Sequence, residues 1–183
     1  MTVKIANNVG SGSLHTGLKL DAIESDLSTA YLEYNPSNYH GLYVRLVEDG
    51  PLITVYRSGK YIVTGATSFE QLHETNDGFL GHLVQLGILD ESLTTGFAVQ
   101  NVVCTEELSS DIDLTALSIG LGLESVEYEP EQFPGLIYRP AEFPAVVLLF
   151  ANGKAVITGA PDVETAEEAF DRLQSQVSTY LLE

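Results

Sequence analysis

The sequence predicts an α+β fold made of two copies of one unit, each an antiparallel sheet layer with helices on one side only. Three observations predict it. Residues 34–45 recur at 128–139 and residues 52–66 at 146–160, with Tyr34 falling on Tyr128 and Thr64 on Thr158 at a constant, ungapped offset of 94 residues. Two copies are too few for a solenoid and imply one pseudo-two-fold domain. The strands inside these segments are apolar on both faces, as in 136–138 (Leu-Ile-Tyr) and 146–150 (Val-Val-Leu-Leu-Phe). Helical periodicity appears in only two longer segments, so helices cover one sheet face and the other stays open for a partner.

In order along the chain, residues 3–9 read as a strand carrying Asn7. Gly10, Gly12 and Gly17 read as a loose connection after it. A short helix over 18–27 follows, with Leu20, Ile23 and Leu27 at helical spacing. Residues 31–34 lead into the first repeated segment, and 48–51 (Glu-Asp-Gly-Pro) turn between its first two strands. Ser68 N-caps a helix to about residue 86, with Phe69, Leu72, Phe79, Leu83 and Leu86 as its core stripe and Gly78 and Gly81 weakening it. The first repeat spans 1–92 and the second 93–183, with no recognisable linker.

The second repeat opens with a strand over 97–104, and a helix over 114–121 follows. Glu129-Pro130 starts a turn, and strands follow over 135–139, 146–150 and 154–158. Asn152-Gly153 supplies the positive φ of a tight hairpin. Asp162 caps a helix over 163–182 that turns Ala166, Phe170, Leu173 and Val177 inward and Glu164, Glu167, Glu168 and Asp171 outward.

Composition narrows the function. An apolar share of 44% supports a sizeable core, and no apolar run is long enough for a membrane span. The first ten residues lack the apolar stretch of a signal peptide, and the single Cys104 excludes a disulfide framework or a multi-cysteine metal site. A cytoplasmic location is the expectation. His15, His40, His73 and His82 are scattered and read as surface residues; no catalytic constellation appears, so neither an enzyme nor a bound cofactor is expected.

The net charge of −18, from 8 basic and 26 acidic residues, argues against nucleic acid as a partner at ordinary salt. Molar salt cuts the Debye length to about 3 Å and removes that objection; scarce lysine beside abundant carboxylates fits a salt-loving organism. The placement of the cations is informative. Arg45 pairs with Arg139 across the repeat and Lys60 with Lys154, so half of the positive charge sits at two symmetric places on the strands.

The paired motifs Y-x-P-x-x-[YF]-x-G-L…R and [SN]-G-K-x-x-x-T-G-A, each preceded by a strand carrying Asn7 or Asn101, cover nearly the whole chain. Residues 100–103 (Gln-Asn-Val-Val), 128–139 (Tyr-Glu-Pro-Glu-Gln-Phe-Pro-Gly-Leu-Ile-Tyr-Arg) and 153–160 (Gly-Lys-Ala-Val-Ile-Thr-Gly-Ala) are the most specific. The chain resembles the TATA-box-binding protein family, and with its acidity a halophilic archaeal member. The resemblance implies a saddle, a curved ten-stranded antiparallel sheet with four helices on its convex side, whose concave face lies on the DNA minor groove. This family is itself the worked case of minor-groove kinking by apolar wedges.

Carried over residue by residue, the resemblance makes Phe133, Phe150, Tyr39 and Tyr56 the wedges. It puts Asn7, Asn101, Thr64 and Thr158 at the centre of the groove floor, where they would donate to the acceptors of A·T pairs. Val9, Val103, Ile62, Val156 and Leu148 become apolar floor that disfavours guanine's amino group. Arg45, Lys60, Arg139 and Lys154 become phosphate contacts, and Glu129, Glu131 and Gln132 the docking site for transcription factor B. The implied partners are A·T-rich promoter DNA, transcription factor B and, indirectly, RNA polymerase, in a nucleoid-associated setting with no membrane.

Repeat one departs from the family pattern. Its wedges are tyrosines, whose hydroxyls need partners between bases; Asn38 replaces a common basic residue, Thr54 stands where repeat two has Leu148, and Ala6 where it has Gln100. In the stirrup, Gln132 replaces the usual leucine. The alternative reading is therefore a paralogue that acts mainly through protein contacts, with weak or altered DNA binding.

Overall fold

A computed structural model describes residues 3–122 and 124–181. The chain forms two compact units, one of Asn7–Gln100 and the other of Asn101 onward together with the first residues through Ala6. Each carries an antiparallel sheet and two helices.

In the amino-terminal unit the strand order is β2 (Tyr31–Glu33), β3 (Leu42–Arg45), β4 (Leu52–Val55), β5 (Lys60–Ala66), β1 (Lys4–Ser13). Alternation decides the faces. Leu42 and Val44 of β3, Ile53 and Val55 of β4, and Tyr61 and Val63 of β5 are buried on the side covered by α1 (Leu20–Asp26) and α2 (Phe69–Gln85). Leu72, Phe79 and Leu83 of α2 and Leu20 and Ile23 of α1 complete this core. Ser68 caps α2 as expected, its hydroxyl accepting from Gln71 N–H at 3.0 Å.

The carboxy-terminal unit repeats the plan with strand order β7 (Val126–Glu127), β8 (Leu136–Tyr138), β9 (Val146–Leu149), β10 (Lys154–Ala160), β6 (Ala98–Glu107). Here α3 (Leu114–Leu121) packs on α4 (Val163–Leu181), and α4 covers β9 and β10. Ala166, Ala169, Phe170 and Leu173 of α4 are buried with Val147, Leu149, Ala155 and Ile157. Asp162 caps α4 by accepting from Thr165 N–H at 2.8 Å. Residue 182, expected in this helix, lies outside the described residues. The described strands number ten and the helices four, the α+β class expected from sequence and resemblance.

Several expectations are corrected. Gly10 and Gly12 lie inside β1, which runs on to Ser13; they are glycine because the Phe97 and Tyr61 rings, stacked at 6.0 Å, lie against the strand where side chains would collide. Residues 31–33, read as a lead-in to the first repeated segment, are a strand too short to show an alternation of its own, and 126–127 form its counterpart. Only Gly153 has positive φ (+82°) at the last hairpin. The connection is a three-residue loop, in which Gly153 N–H donates to Phe150 O and Phe150 N–H to Lys154 O, both at 2.9 Å. Leu86 is exposed beyond the end of α2, while Thr75 and Asn76 join its buried side.

One buried group lacks support. Asn8 is 0% exposed and opposite Ala66, and neither polar atom of its carboxamide has a partner among the described residues. The repeat places Val102, also 0% exposed, at the same position. An orphaned buried amide costs about 1–3 kcal/mol. Asn8→Val should therefore raise the thermal unfolding midpoint; an unchanged or lower midpoint by calorimetry would show that the amide is satisfied in solution.

Candidate nucleic-acid interface

The helices cover one face of each sheet, and Ile62, Thr64, Leu148, Val156 and Thr158 lie on the other. In the amino-terminal unit, Tyr43, Thr54, Ile62 and Ser11 face one another in register across β3, β4, β5 and β1. In the carboxy-terminal unit, Ile137, Leu148, Val156 and Thr105 form the matching row. The next row pairs Leu52 with Thr64 and Val146 with Thr158. Val9 and Val103 lie half-buried beside these rows. Ile62, Val156, Leu148, Thr64 and Thr158 are likewise half-buried.

A β-bulge positions the polar pair. Asn8 faces Ala66 and Gly10 faces Val63, so β5 advances three residues while β1 advances two. The same slip separates Ile157–Cys104 from Ala160–Val102. The extra residue needs positive φ, which Gly65 (+92°) and Gly159 (+80°) supply without a Cβ penalty. The bulge removes the glycine amides from the ladder, and asparagines take them up: Gly65 N–H donates to Asn7 Oδ1 at 2.7 Å and Gly159 N–H to Asn101 Oδ1 at 2.8 Å. Each tie fixes which end of the carboxamide is oxygen. The Nδ2 end is left as a donor, in Asn7 within 3.4 Å of Thr64 Oγ1.

The aromatic residues form two equivalent pairs. Phe133 and Phe150 meet edge to face, with centroids 5.8 Å apart and planes at 65°. Tyr39 and Tyr56 repeat this at 6.4 Å and 64°. Both pairs lie over a glycine: a Cβ on Gly135 would fall 2.7 Å from the Phe133 ring, and one on Gly41 2.7 Å from the Tyr39 ring. The tyrosines add a bond, hydroxyl to hydroxyl at 2.9 Å. That hydrogen bond, then burial, pushes the Tyr56 phenol up to about 12.

Three neighbours were not foreseen. Tyr43 stacks flat on Tyr39 at 5.2 Å, where the second repeat has Ile137. His40, read as a surface residue, is exposed yet lies 4.7 Å from the Tyr39 ring and 5.4 Å from that of Tyr56. Thr54 is 7% exposed, with Tyr39 beside it. The strand alternation that places Arg45 on this face also places Tyr43 there, and was the available signal.

The four cations differ in their engagements. Lys60 and Lys154 are exposed and in no ion pair among the described residues. Arg139 stands 3.7 Å from Glu127; both are largely exposed, so the pair contributes little. Arg45 is half-buried and donates to the Gly50 carbonyl, holding the β3–β4 turn. Glu129, Glu131 and Gln132 are exposed on a tight turn, in which Gln132 N–H and Phe133 N–H both donate to Glu129 O and the Gln132 amide bonds the Glu129 carboxylate. No described helix is long and apolar enough to cross a membrane.

Comparison with known proteins agrees with this geometry. The pattern of the family described as transcription factor TFIID, or TATA-binding protein, matches residues 2–86 and again 96–180. TATA-box-binding protein C of Halobacterium salinarum is 66% identical over 97% of the chain and 98% of its own length. TATA-box-binding protein 2 of Haloferax volcanii is 40% identical over 96% and 93%. The solved structure of Methanococcus jannaschii TBP superposes with a TM-score of 0.82 at 34% identity, covering 98% of this chain and 99% of that one.

Proposed function

Because the chain belongs to the family of transcription factor TFIID, the TATA-binding proteins, we propose that each unit lays its uncovered sheet face on the minor groove of A·T-rich promoter DNA and bends it. The bent complex then recruits transcription factor B and, through it, RNA polymerase. The family is one of DNA-binding transcription initiation factors rather than enzymes. The protein works in the cytoplasm, on the nucleoid.

The observation that carries this reading is the tied asparagine. A·T pairs present only acceptors in the minor groove, A N3 and T O2. With their oxygens held by Gly65 and Gly159, Asn7 and Asn101 offer donors, and Thr64 and Thr158 stand beside them with hydroxyls. Val9, Ile62, Val103, Leu148 and Val156 offer nothing to guanine's amino group, which would be desolvated unpaired. The ring pairs Phe133–Phe150 and Tyr39–Tyr56 act as wedges that unstack base steps. Lys60, Lys154, Arg139 and Arg45 meet phosphates. The matching geometry of the two pairs favours this over a paralogue that acts through protein contacts alone.

Glu129 and Glu131 form the exposed acidic edge that docks transcription factor B, with Gln132 bracing the turn. One gel experiment in molar potassium chloride tests both halves. The chain should bend an A·T-rich duplex, and Glu129→Arg should keep that bend while losing the ternary complex. No bend by the unmodified chain refutes DNA binding, and ternary assembly by Glu129→Arg refutes the docking site.

A further inference from the structure

We propose that the amino-terminal unit holds a phosphate pocket around Arg57 that grips the duplex backbone and has no counterpart in the carboxy-terminal unit; the proposal deepens the reading above and rests on it. A cavity of about 760 Å³ opens beside Tyr56 and Ile62 and is lined by Arg57, Lys60, His15 and His40, with no carboxylate on its walls. In a chain of 8 basic and 26 acidic residues, two of the cations and two of the four histidines share one cavity. A cavity of that sign suits an anion.

Arg57 is held at one end of its guanidinium. Its Nε donates to the Tyr34 hydroxyl at 3.0 Å, and its guanidinium carbon lies 6.0 Å from the Tyr34 ring centroid. Its two Nη groups have no partner among the described residues and present the fork that fits a phosphate's oxygens. The occupant is a backbone phosphodiester, because the same cavity is bordered by Tyr56 and Ile62, which the reading above sets against the groove.

The equivalent place in the carboxy-terminal unit is balanced in charge rather than cationic. Its cavity, about 530 Å³, is lined by Phe150, Lys4 and Lys154 but also by Glu106 and Glu107. The 94-residue offset puts Ala151 at the place of Arg57, Ser109 at His15 and Pro134 at His40. The two carboxylates there offset the two lysines, whereas nothing on the walls of the amino-terminal cavity offsets Arg57 and Lys60. A repeat that is symmetric in its rings and floor is therefore asymmetric in backbone grip.

The test scans an A·T-rich duplex with single neutral methylphosphonate replacements, using the full chain, Arg57→Ala and Arg57→Gln, with thermal midpoints checked for each. One phosphate should matter to the unmodified chain by about tenfold in affinity and be indifferent to both variants. The slope of log affinity against log salt should rise by about 0.9 in the variants, as one phosphate contact is lost. Folded variants that keep the full phosphate profile of the unmodified chain overturn the pocket while leaving DNA binding intact. Inorganic phosphate that stabilises the free chain, with no phosphate sensitive to Arg57 in the scan, assigns the cavity to a small free anion and also overturns it. A chain that binds no A·T-rich duplex overturns both this proposal and the reading beneath it.

Discussion

Phe150→Ala should reduce affinity for an A·T-rich duplex by about ten- to a hundredfold and remove most of the bend, as expected for losing stacking of about 1–3 kcal/mol. Tyr56→Ala should cost less. The two ring pairs share their geometry but not their chemistry. Phe133 and Phe150 have nothing to desolvate when they enter a base step. Tyr39 and Tyr56 carry hydroxyls that satisfy each other at 2.9 Å, and Tyr39 is also stacked on Tyr43 at 5.2 Å. Inserting the tyrosine pair means either carrying that hydrogen bond into the stack or breaking it, and peeling Tyr39 from Tyr43 as well. A circular-permutation or fluorescence bending assay on both variants decides the matter. Equal or greater loss in Tyr56→Ala would mean that the amino-terminal wedges carry the bend.

Affinity for the same duplex should hold or rise as potassium chloride goes from about 0.1 M to molar, opposite to the usual trend. Ordinary complexes weaken because neutralised phosphates release counterions. Here 26 acidic side chains face the phosphates with only 8 basic ones, and five of those carry the proposed contacts. The repulsion reaches about 30 Å at 0.01 M salt and about 3 Å at 1 M. Burial of Ile62, Val103, Leu148, Val156 and the four rings is not screened, and excluded salts strengthen it. Self-repulsion of the exposed Glu164, Glu168 and Asp171 on α4 relaxes in the same direction, so folding should improve with salt too. Titration across a salt series, with circular dichroism at each point, measures both. A steep loss of affinity in a chain folded throughout would show that phosphate neutralisation dominates.

Much of this architecture was legible because the chain states it twice. The repeat located β3–β5 and β8–β10, and the resemblance supplied their count and partners. The caps at Ser68 and Asp162 follow from hydroxyl and carboxylate chemistry that needs no tertiary context. What escaped depends on long-range packing. Residues 31–33 and 126–127 become strands only because β3 and β8 offer them edges. Gly10 and Gly12 look like loop residues until Phe97 and Tyr61 are seen against them. The grouping of Asn7, Asn101, Thr64 and Thr158 came from the resemblance and the repeat symmetry; the ties to Gly65 and Gly159 were not legible, since they cross 58 residues of chain. His40 and Arg57 were passed over because neither recurs in the second repeat, and recurrence was the signal in use.

The ties at Gly65 and Gly159 make the polarity of the recognition surface a property of the backbone. An amide side chain is nearly symmetric in shape, and what distinguishes its ends here is a main-chain N–H that never meets a ligand. Aspartate would fill the same volume and accept the same bond, yet would turn its second oxygen outward where a donor had been. Replacing either asparagine by aspartate would therefore keep the tie and invert the surface's preference, facing the acceptors of an A·T pair with a like-signed edge.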